Sequence, residues 1–318
     1  MSITKRISHE DLPPYTNGWF QIAWSNEINP KQVKTIKAFG QDIVLFRESN
    51  GKLNALNPFC PHLGAHLGHG GKVVSDSIRC PYHGWCFNGE GKCSSIPYTE
   101  RIPEKARAKT WPIVEKYGMV FTYRNADESK KEYPLPQIDN FNLSDWSRPF
   151  QKVFKINTKM QEVMENSVDA PHFHALHGHH LPPMRHTYNE KENTIYVKHT
   201  TITKFLFKDL QTTLEYTIKE PGFHYIEFNN LPLTKAVVFS SLVPVDENHC
   251  ENRLTIFIKK SNIPLLSYIY KKYIALEMIR TYSEDIEIWE NKIYHKSPVL
   301  CDKDGEIIKL RKWYSKFF

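Results

Sequence analysis

The chain has 318 residues, 40% of them hydrophobic, 13% aromatic and 24% charged, a balance that allows two folded cores and excludes a disordered or low-complexity protein. Its 42 Lys and Arg against 35 Asp and Glu give a formal charge of +7, but the lysines are scattered among glutamates, so no nucleic-acid partner is expected. Six cysteines are too few for a disulfide scaffold, and the first twenty residues, MSITKRISHEDLPPYTNGWF, hold no apolar run of signal or membrane length; a cytoplasmic location is the expectation.

From Trp19 to about Arg124 short alternating segments succeed one another: WFQIAW, VKTIKAF, DIVLFRE, KLNAL, KVVSD and MVFTYR, with Ser49-Asn-Gly51 and Asn88-Gly-Glu-Gly91 as turn signals. They predict a small all-β domain over 1–125. Two loops interrupt it, Cys60-Pro-His62 and Cys80-Pro-Tyr-His83. Two thiolates and two imidazoles on two loops are what a Rieske [2Fe-2S] centre requires, one iron held by the cysteines and the other by the histidines, whose neutral nitrogens raise the potential. Zinc is the rival, since Cys2His2 also makes a tetrahedral site. The spacing opposes zinc: each pair mixes ligand types, with 17 residues between the pairs, whereas the common zinc finger has a cysteine pair followed by a histidine pair. Gly64, Gly68, Gly70, Gly71 and Gly84 crowd the same stretches, as suits loops folded closely around an inorganic core.

The polar passage from Asn125 to Pro149 reads as a crossover, with prolines holding Glu132-Tyr-Pro-Leu-Pro136 extended, into a second domain over 126–318. A helix is expected from about Thr158 to His177. Strands follow at 194–206, 211–218, 222–229, 234–243 and 251–259, mostly alternating, as in an antiparallel sheet with one face on a core. A long helix comes next. Asn262 caps it, Pro264 sits in its first turn, and Leu265, Ile269, Tyr273, Leu276 and Ile279 form a stripe that Tyr282, Ile286 and Trp289 extend. The fold class is therefore α+β, a small all-β domain followed by an antiparallel sheet flanked by helices in the helix-grip manner.

An electron-transfer centre needs a destination, and Glu165-Asn-Ser-Val-Asp-Ala-Pro-His-Phe-His-Ala-Leu-His177 offers one. Two imidazoles and a carboxylate are the facial triad that holds mononuclear Fe(II) and leaves a face open for O2. The residues alone leave the choice open. His172, His174, His177, His179 and His180 are all available, and His174 with His177 makes the neater pair on an ideal helix. If Gly178 ends the helix, His179 and His180 lie in a loop leading to Pro182-Pro183. For the carboxylate, Asp285 stands one turn from both Tyr282 and Trp289 on the apolar side of the long helix, while Glu284 and Glu287 read as ordinary exposed carboxylates.

Cys60-Pro-His-Leu-Gly-Ala-His through Cys80-Pro-Tyr-His-Gly-Trp resembles the Rieske domain of the ring-hydroxylating and related non-haem iron oxygenases. The resemblance implies Cys60 and Cys80 on the inner iron, and His62 and His83 on the outer iron. Ala65 stands where Rieske proteins of respiratory complexes carry a disulfide cysteine, so Cys86 and Cys93 are expected to be free thiols. Asn166-x-x-Asp169-x-x-His172-x-x-x-x-His177 matches the iron-binding signature of the same oxygenases and selects His172 and His177 as ligands. The Asp285-x-x-Ile-Trp289 pattern resembles the steroid 9-alpha-hydroxylases and cholesterol 7-desaturases.

In that family a homotrimer sets each cluster beside the mononuclear iron of the neighbouring subunit, and an aspartate matching Asp169 bridges an outer-iron histidine to an iron-ligand histidine. A carboxylate suits the task because it accepts N–H bonds from both imidazoles. Asn166 is placed to tune the sixth coordination position, with a helix-surface amide as the other reading. The resemblance implies a terminal monooxygenase or desaturase that uses O2 on a hydrophobic polycyclic substrate, a sterol or steroid first and an alkaloid or other small natural product second. No GxGxxG fingerprint is present in the sequence, so a separate NAD(P)H-dependent reductase, with or without a ferredoxin, is expected to supply electrons. The 181–188 segment, with Leu181 and Met184, is expected near the mouth of the substrate cavity.

Overall fold

A computed structural model of the chain describes residues 14–127, 133–178, 187–191, 193–205, 208–231, 234–261, 263–302, 304 and 306–318. The expected roles of His179, His180, Leu181, Met184 and the Asn262 cap lie outside the described residues. The chain forms two compact units, one of Trp19–Leu135 and the other of Pro136–Phe318 with the described residues before Trp19.

The first unit is built from short strands: β1 Gly18–Trp24, β2 Val33–Ala38, β3 Gln41–Arg47, β4 Leu53–Leu56, β5 Lys72–Val74, β6 Ser77–Arg79, β7 Cys86–Asn88, β8 Cys93–Ser95, β9 Ile113–Lys116 and β10 Met119–Arg124. They make sheets in the orders β2-β3-β4, β5-β6-β7-β8 and β1-β10-β9. Every segment expected from the alternation contains a strand. The turn at Gly51 has φ +95°, a left-handed backbone that glycine adopts without steric cost. Val44, Phe46, Leu56, Leu67, Ile78 and Phe87 form a core that also encloses Cys60 and Cys80.

The second unit holds β11 Phe150–Ile156, α1 Met160–Glu165, α2 Pro171–Ala175, β12 Thr187–Lys191, β13 Thr194–Phe205, β14 Lys208–Glu220, β15 Phe223–Asn229, β16 Ala236–Pro244, β17 Cys250–Ile258, α3 Pro264–Asn291 and α4 Ile307–Tyr314. Seven strands make one antiparallel sheet in the order β11-β17-β16-β15-β14-β13-β12. β11 and β12 close its two ends and were not expected from their sequences. α3 packs across β17 and β11. α4 is fastened to α1 by the Arg311 guanidinium, whose Nε and Nη2 donate to the two Glu165 carboxylate oxygens at 2.7 and 2.9 Å. No helix among the described residues is long and apolar enough to cross a membrane.

Two expectations need correction. The helix over Thr158–His177 is not continuous: α1 ends at Glu165, a 3-10 turn covers Asn166–Val168, Asp169 is extended, and α2 starts at Pro171. Proline has no N–H to continue a helix and is favoured at a helix start. The stripe on α3 is also shifted. Leu265 and Leu276 are 67% and 59% exposed, whereas Tyr270 and Ile274 are buried; at the other end the expected Trp289 is buried, with Asp285 on the same side. The phase differs only over the first part of α3, where apolar residues occur on both sides of the helix and packing on the sheet selects one.

Candidate metal centres

Cys60 and Cys80 head two loops with the same backbone geometry. The Cys60 N–H donates to Ala65 O at 2.9 Å and its carbonyl accepts from the Gly64 N–H at 2.9 Å; the Cys80 N–H donates to Trp85 O at 2.8 Å and its carbonyl accepts from the Gly84 N–H at 3.2 Å. Gly64 and Gly84 both take left-handed φ, +76° and +74°, which turns each loop back on its cysteine. The loops bring the His62 and His83 rings to 4.6 Å between centroids. Trp85 stacks on His62 at 4.5 Å and 6°, and its indole N–H is held by Tyr98 Oη at 2.7 Å.

Two buried thiols on one side and two half-buried imidazoles on the other fit the donor set of a Rieske cluster. Burial pushes the Cys60 thiol up to about 11, with Cys80 adding to the rise; the positive irons of a bound cluster would oppose this and favour the thiolate. Cys86 and Cys93 are buried free thiols, as expected.

The second site forms where the broken helix meets α3. On an ideal helix His172 and His177 would point about 140° apart. The end of α2 at Ala175 removes that difficulty, because His177 lies in the turn beyond it, ahead of Gly178 with φ +66°. The His172 and His177 rings then stand 5.2 Å apart at 84°, and one ligand atom from each of His172, His177 and Asp285 lies within 4.8 Å of the others. His174 is exposed.

The outer ring nitrogens are directed to carboxylates. His177 Nδ1 is 2.7 Å from Glu284 Oε2, and His172 Nδ1 is 3.8 Å from Asp169 Oδ2. On the inner side His177 Nε2 is 3.3 Å from Asp285 Oδ1, and Asn166 Nδ2 is 3.1 Å from His172 Nε2. With the Nδ1 proton of His177 given to Glu284, Nε2 and the Asp285 oxygen face each other as lone pairs. They can approach so closely only with a proton or a metal cation between them, and the donor set suits Fe(II). Burial alone would lower the His177 pKa, but hydrogen bonds to Asp285 and Glu284 raise it on balance. Burial raises Asp169 to about 6.

Glu284 is therefore not the ordinary exposed carboxylate its sequence suggested, while Glu287 is exposed. Glu284 turns toward His177 and is gripped by Arg280 Nη1 at 2.7 and 3.0 Å. Its pairing with Arg280 at i, i+4 was visible in the sequence. The contact with His177 was not, because it joins residues 107 positions apart.

Asp42, His66 and His69 also bring ligand atoms within 4.8 Å of one another. There the Gly68 N–H donates to His66 Nδ1 at 3.1 Å, which leaves Nε2 to carry the proton and donate to Asp42 Oδ2 at 3.1 Å. Both nitrogens of His66 are thus committed, and the group ties down the first cluster loop instead of offering a metal site.

Above the His172, His177 and Asp285 group opens a cavity between the sheet and α3. Leu214, Ile226 and Phe228 of the sheet form one wall, and Ile274, Met278 and Trp289 of α3 another.

Residues 18–115 match the Rieske [2Fe-2S] domain, and residues 122–318 match the 3-ketosteroid 9α-hydroxylase C-terminal domain. Cholesterol 7-desaturase nvd 1 of Ciona intestinalis is 32% identical over 99% of this chain and 71% of its own length. The oxygenase component of a 3-ketosteroid-9-alpha-monooxygenase from Rhodococcus rhodochrous is 26% identical over 96% of this chain and 83% of its own. The solved structure of Pseudomonas putida NdmA with caffeine shares the fold, with a TM-score of 0.77 at 20% identity over 93% of this chain and 89% of that one. Cluster loops, iron-binding triad and apolar cavity agree with these matches, and the chain belongs to the Rieske-type non-haem iron oxygenases, with a catalytic half of the 3-ketosteroid 9α-hydroxylase family.

Proposed function

We propose that the chain is the terminal component of a system that hydroxylates or desaturates a sterol or steroid. The observation that carries this reading is the cavity, where apolar walls from the sheet and α3 converge on the His172, His177 and Asp285 group. A slot of that character favours a rigid hydrocarbon skeleton over a charged molecule. The relatives named for cholesterol and for 3-ketosteroids point the same way.

In this reading Cys60, Cys80, His62 and His83 hold the cluster, and His172, His177 and Asp285 hold a ferrous iron. That iron, when bound and reduced, would supply the O2 activation needed to attack an unactivated C–H bond. The protein contributes geometry. Glu284 holds the Nδ1 proton of His177 and so aims Nε2 inward, Asn166 places its amide beside His172 Nε2, and the walls keep water from the reacting carbon. The assembly in this reading is a homotrimer in which the partner subunit's His83 reaches Asp169, and Asp169 in turn touches His172. A separate NAD(P)H-dependent reductase, with or without a ferredoxin, feeds the cluster. None of the six cysteines forms a disulfide, which suits a cytoplasmic setting.

The test is a substrate panel turned over with a surrogate reductase and read by mass spectrometry. A gain of one oxygen or a loss of two hydrogens on steroids is the expected result. Turnover confined to small charged molecules or alkaloids would overturn the steroid assignment.

A further inference from the structure

One polar group in the cavity has no role in the site described so far. His224 on β15 lines the cavity and is 5% exposed, and its Nδ1 is enclosed without a hydrogen-bond partner among the described residues. Leaving a buried imidazole nitrogen unpaired costs about 1–3 kcal/mol, and such groups are rare enough in folded proteins to require a reason. The strand register supplies a setting. His224 pairs with Ile218 and Tyr216 pairs with Ile226, which makes His224 and Tyr216 diagonal neighbours on one face of the sheet. Around them the same wall carries Leu214, Ile226 and Phe228. Two hydrogen-bonding heads thus stand together in a hydrocarbon surface.

We propose that His224, with Tyr216 beside it, is the polar anchor for a single oxygen function, a hydroxyl or a carbonyl, on an otherwise hydrophobic fused-ring substrate. An imidazole in this apolar setting is neutral, with one donor and one acceptor nitrogen, and a phenol can do either. The pair can therefore donate to a ketone, or exchange both bonds with an alcohol. Among the described residues the sheet wall around this pair carries no ionised side chain, and Glu277 of α3 lines another side of the cavity. The anchor also sets selectivity of position. A rigid skeleton held by its oxygen at His224 presents one stretch of carbon to the His172, His177 and Asp285 group, which lines the same cavity. The inference rests on the steroid reading above and deepens it.

The test uses the iron-loaded full-length protein and three probes with one ring skeleton: a 3-hydroxysteroid, the matching 3-ketone, and the hydrocarbon lacking that oxygen. Affinity is read from quenching of tryptophan fluorescence, Trp289 being part of the cavity wall, and the position of attack from the products. His224→Phe should weaken binding of the alcohol and the ketone by about 10- to 100-fold, the worth of a buried neutral hydrogen bond, and leave the hydrocarbon unchanged. His224→Gln should recover most of the loss, and a scattered product pattern should accompany His224→Phe. Selective loss for the alcohol alone would assign the natural ligand as a hydroxysteroid, and equal loss for both would admit either. Uniform weakening of all three probes, or none, would overturn the anchor and leave the steroid assignment standing. Failure of the unmodified protein to bind any probe would overturn both.

Discussion

Nδ1 of His177 lies 2.7 Å from Oε2 of Glu284, the residue next to Asp285 on α3, and Arg280 holds the same carboxylate from its exposed side. One helical turn therefore carries both a proposed metal ligand and the group that orients another. Glu284→Ala should weaken retention of the mononuclear iron, or turnover, by about 10- to 100-fold, the usual loss when the carboxylate behind a ligand histidine is removed. Glu284→Gln keeps an acceptor and should lose less. Iron titration of the apo-protein checks both, and unchanged affinity in the Ala variant would show that His177 is aimed by its turn alone.

Asp285 and Glu287 offer a sharper contrast, since the first is 5% exposed and faces His177 while the second is exposed. Asp285→Ala should empty the mononuclear site and abolish product. Glu287→Ala should leave both within twofold of the unmodified protein, a rough allowance for a surface change. Metal analysis after anaerobic reconstitution distinguishes them.

The two metal sets should be separable. Cys60→Ala or Cys80→Ala should eliminate the visible absorption of the cluster, whereas His172→Ala should keep that spectrum and lose only the third iron. Zinc bound at both sites, with no iron-dependent turnover, would contradict the assignment.

Burial holds the His224 imidazole down at about 4, from an ordinary 6.5. Between those values the unfolded chain takes up a proton that the folded chain refuses, so stability falls as pH drops from about 6.5 toward about 4. Above that window this histidine contributes no pH dependence. The full effect is of order 3 kcal/mol. Urea denaturation near pH 7 and near pH 5 should show the loss in the unmodified protein and a flatter response in His224→Phe.

Asp169→Asn should retain both metal centres while slowing reduction of the mononuclear iron, because it keeps the shape and loses the charge and an acceptor. Mixing chains defective at Cys80 with chains defective at His172 should restore partial activity if electrons cross between copies. No recovery in verified mixed trimers would mean that transfer stays within one chain.

The cluster loops were legible because their chemistry is local: Cys60 to His62 and Cys80 to His83 are within a few residues, and Gly64 and Gly84 announce the turns that close each loop. The sheet strands from β13 to β17 were legible for the same reason, alternation being a property of neighbours. The pairing of His172 with His177 was not legible from spacing. It depends on a helix that stops at Ala175, whereas spacing alone leaves five histidines open, with His174 and His177 the neater pair on an ideal helix. The phase of the α3 stripe, the carboxylate behind His177 and the unpaired His224 all depend on contacts between segments far apart in the chain. No local pattern marks them. The edge strand β11 carries no clear strand signal because its burial is incomplete and its alternation weak.

α3 supplies Asp285 and, along its length, the Ile274, Met278 and Trp289 side of the cavity, while Tyr282 ties it to the sheet through a 2.8 Å hydrogen bond with Ser240 on β16. Wall and ligand are thus one rigid body. The element that sets the width of the slot is therefore the element that sets the distance of the Asp285 carboxylate from His177 Nε2. Like one jaw of a calliper, α3 couples the shape a guest must have to the place where a metal would be held, so a substitution that repacks its Ile274 and Met278 face is also a change at the Asp285 end of the same helix.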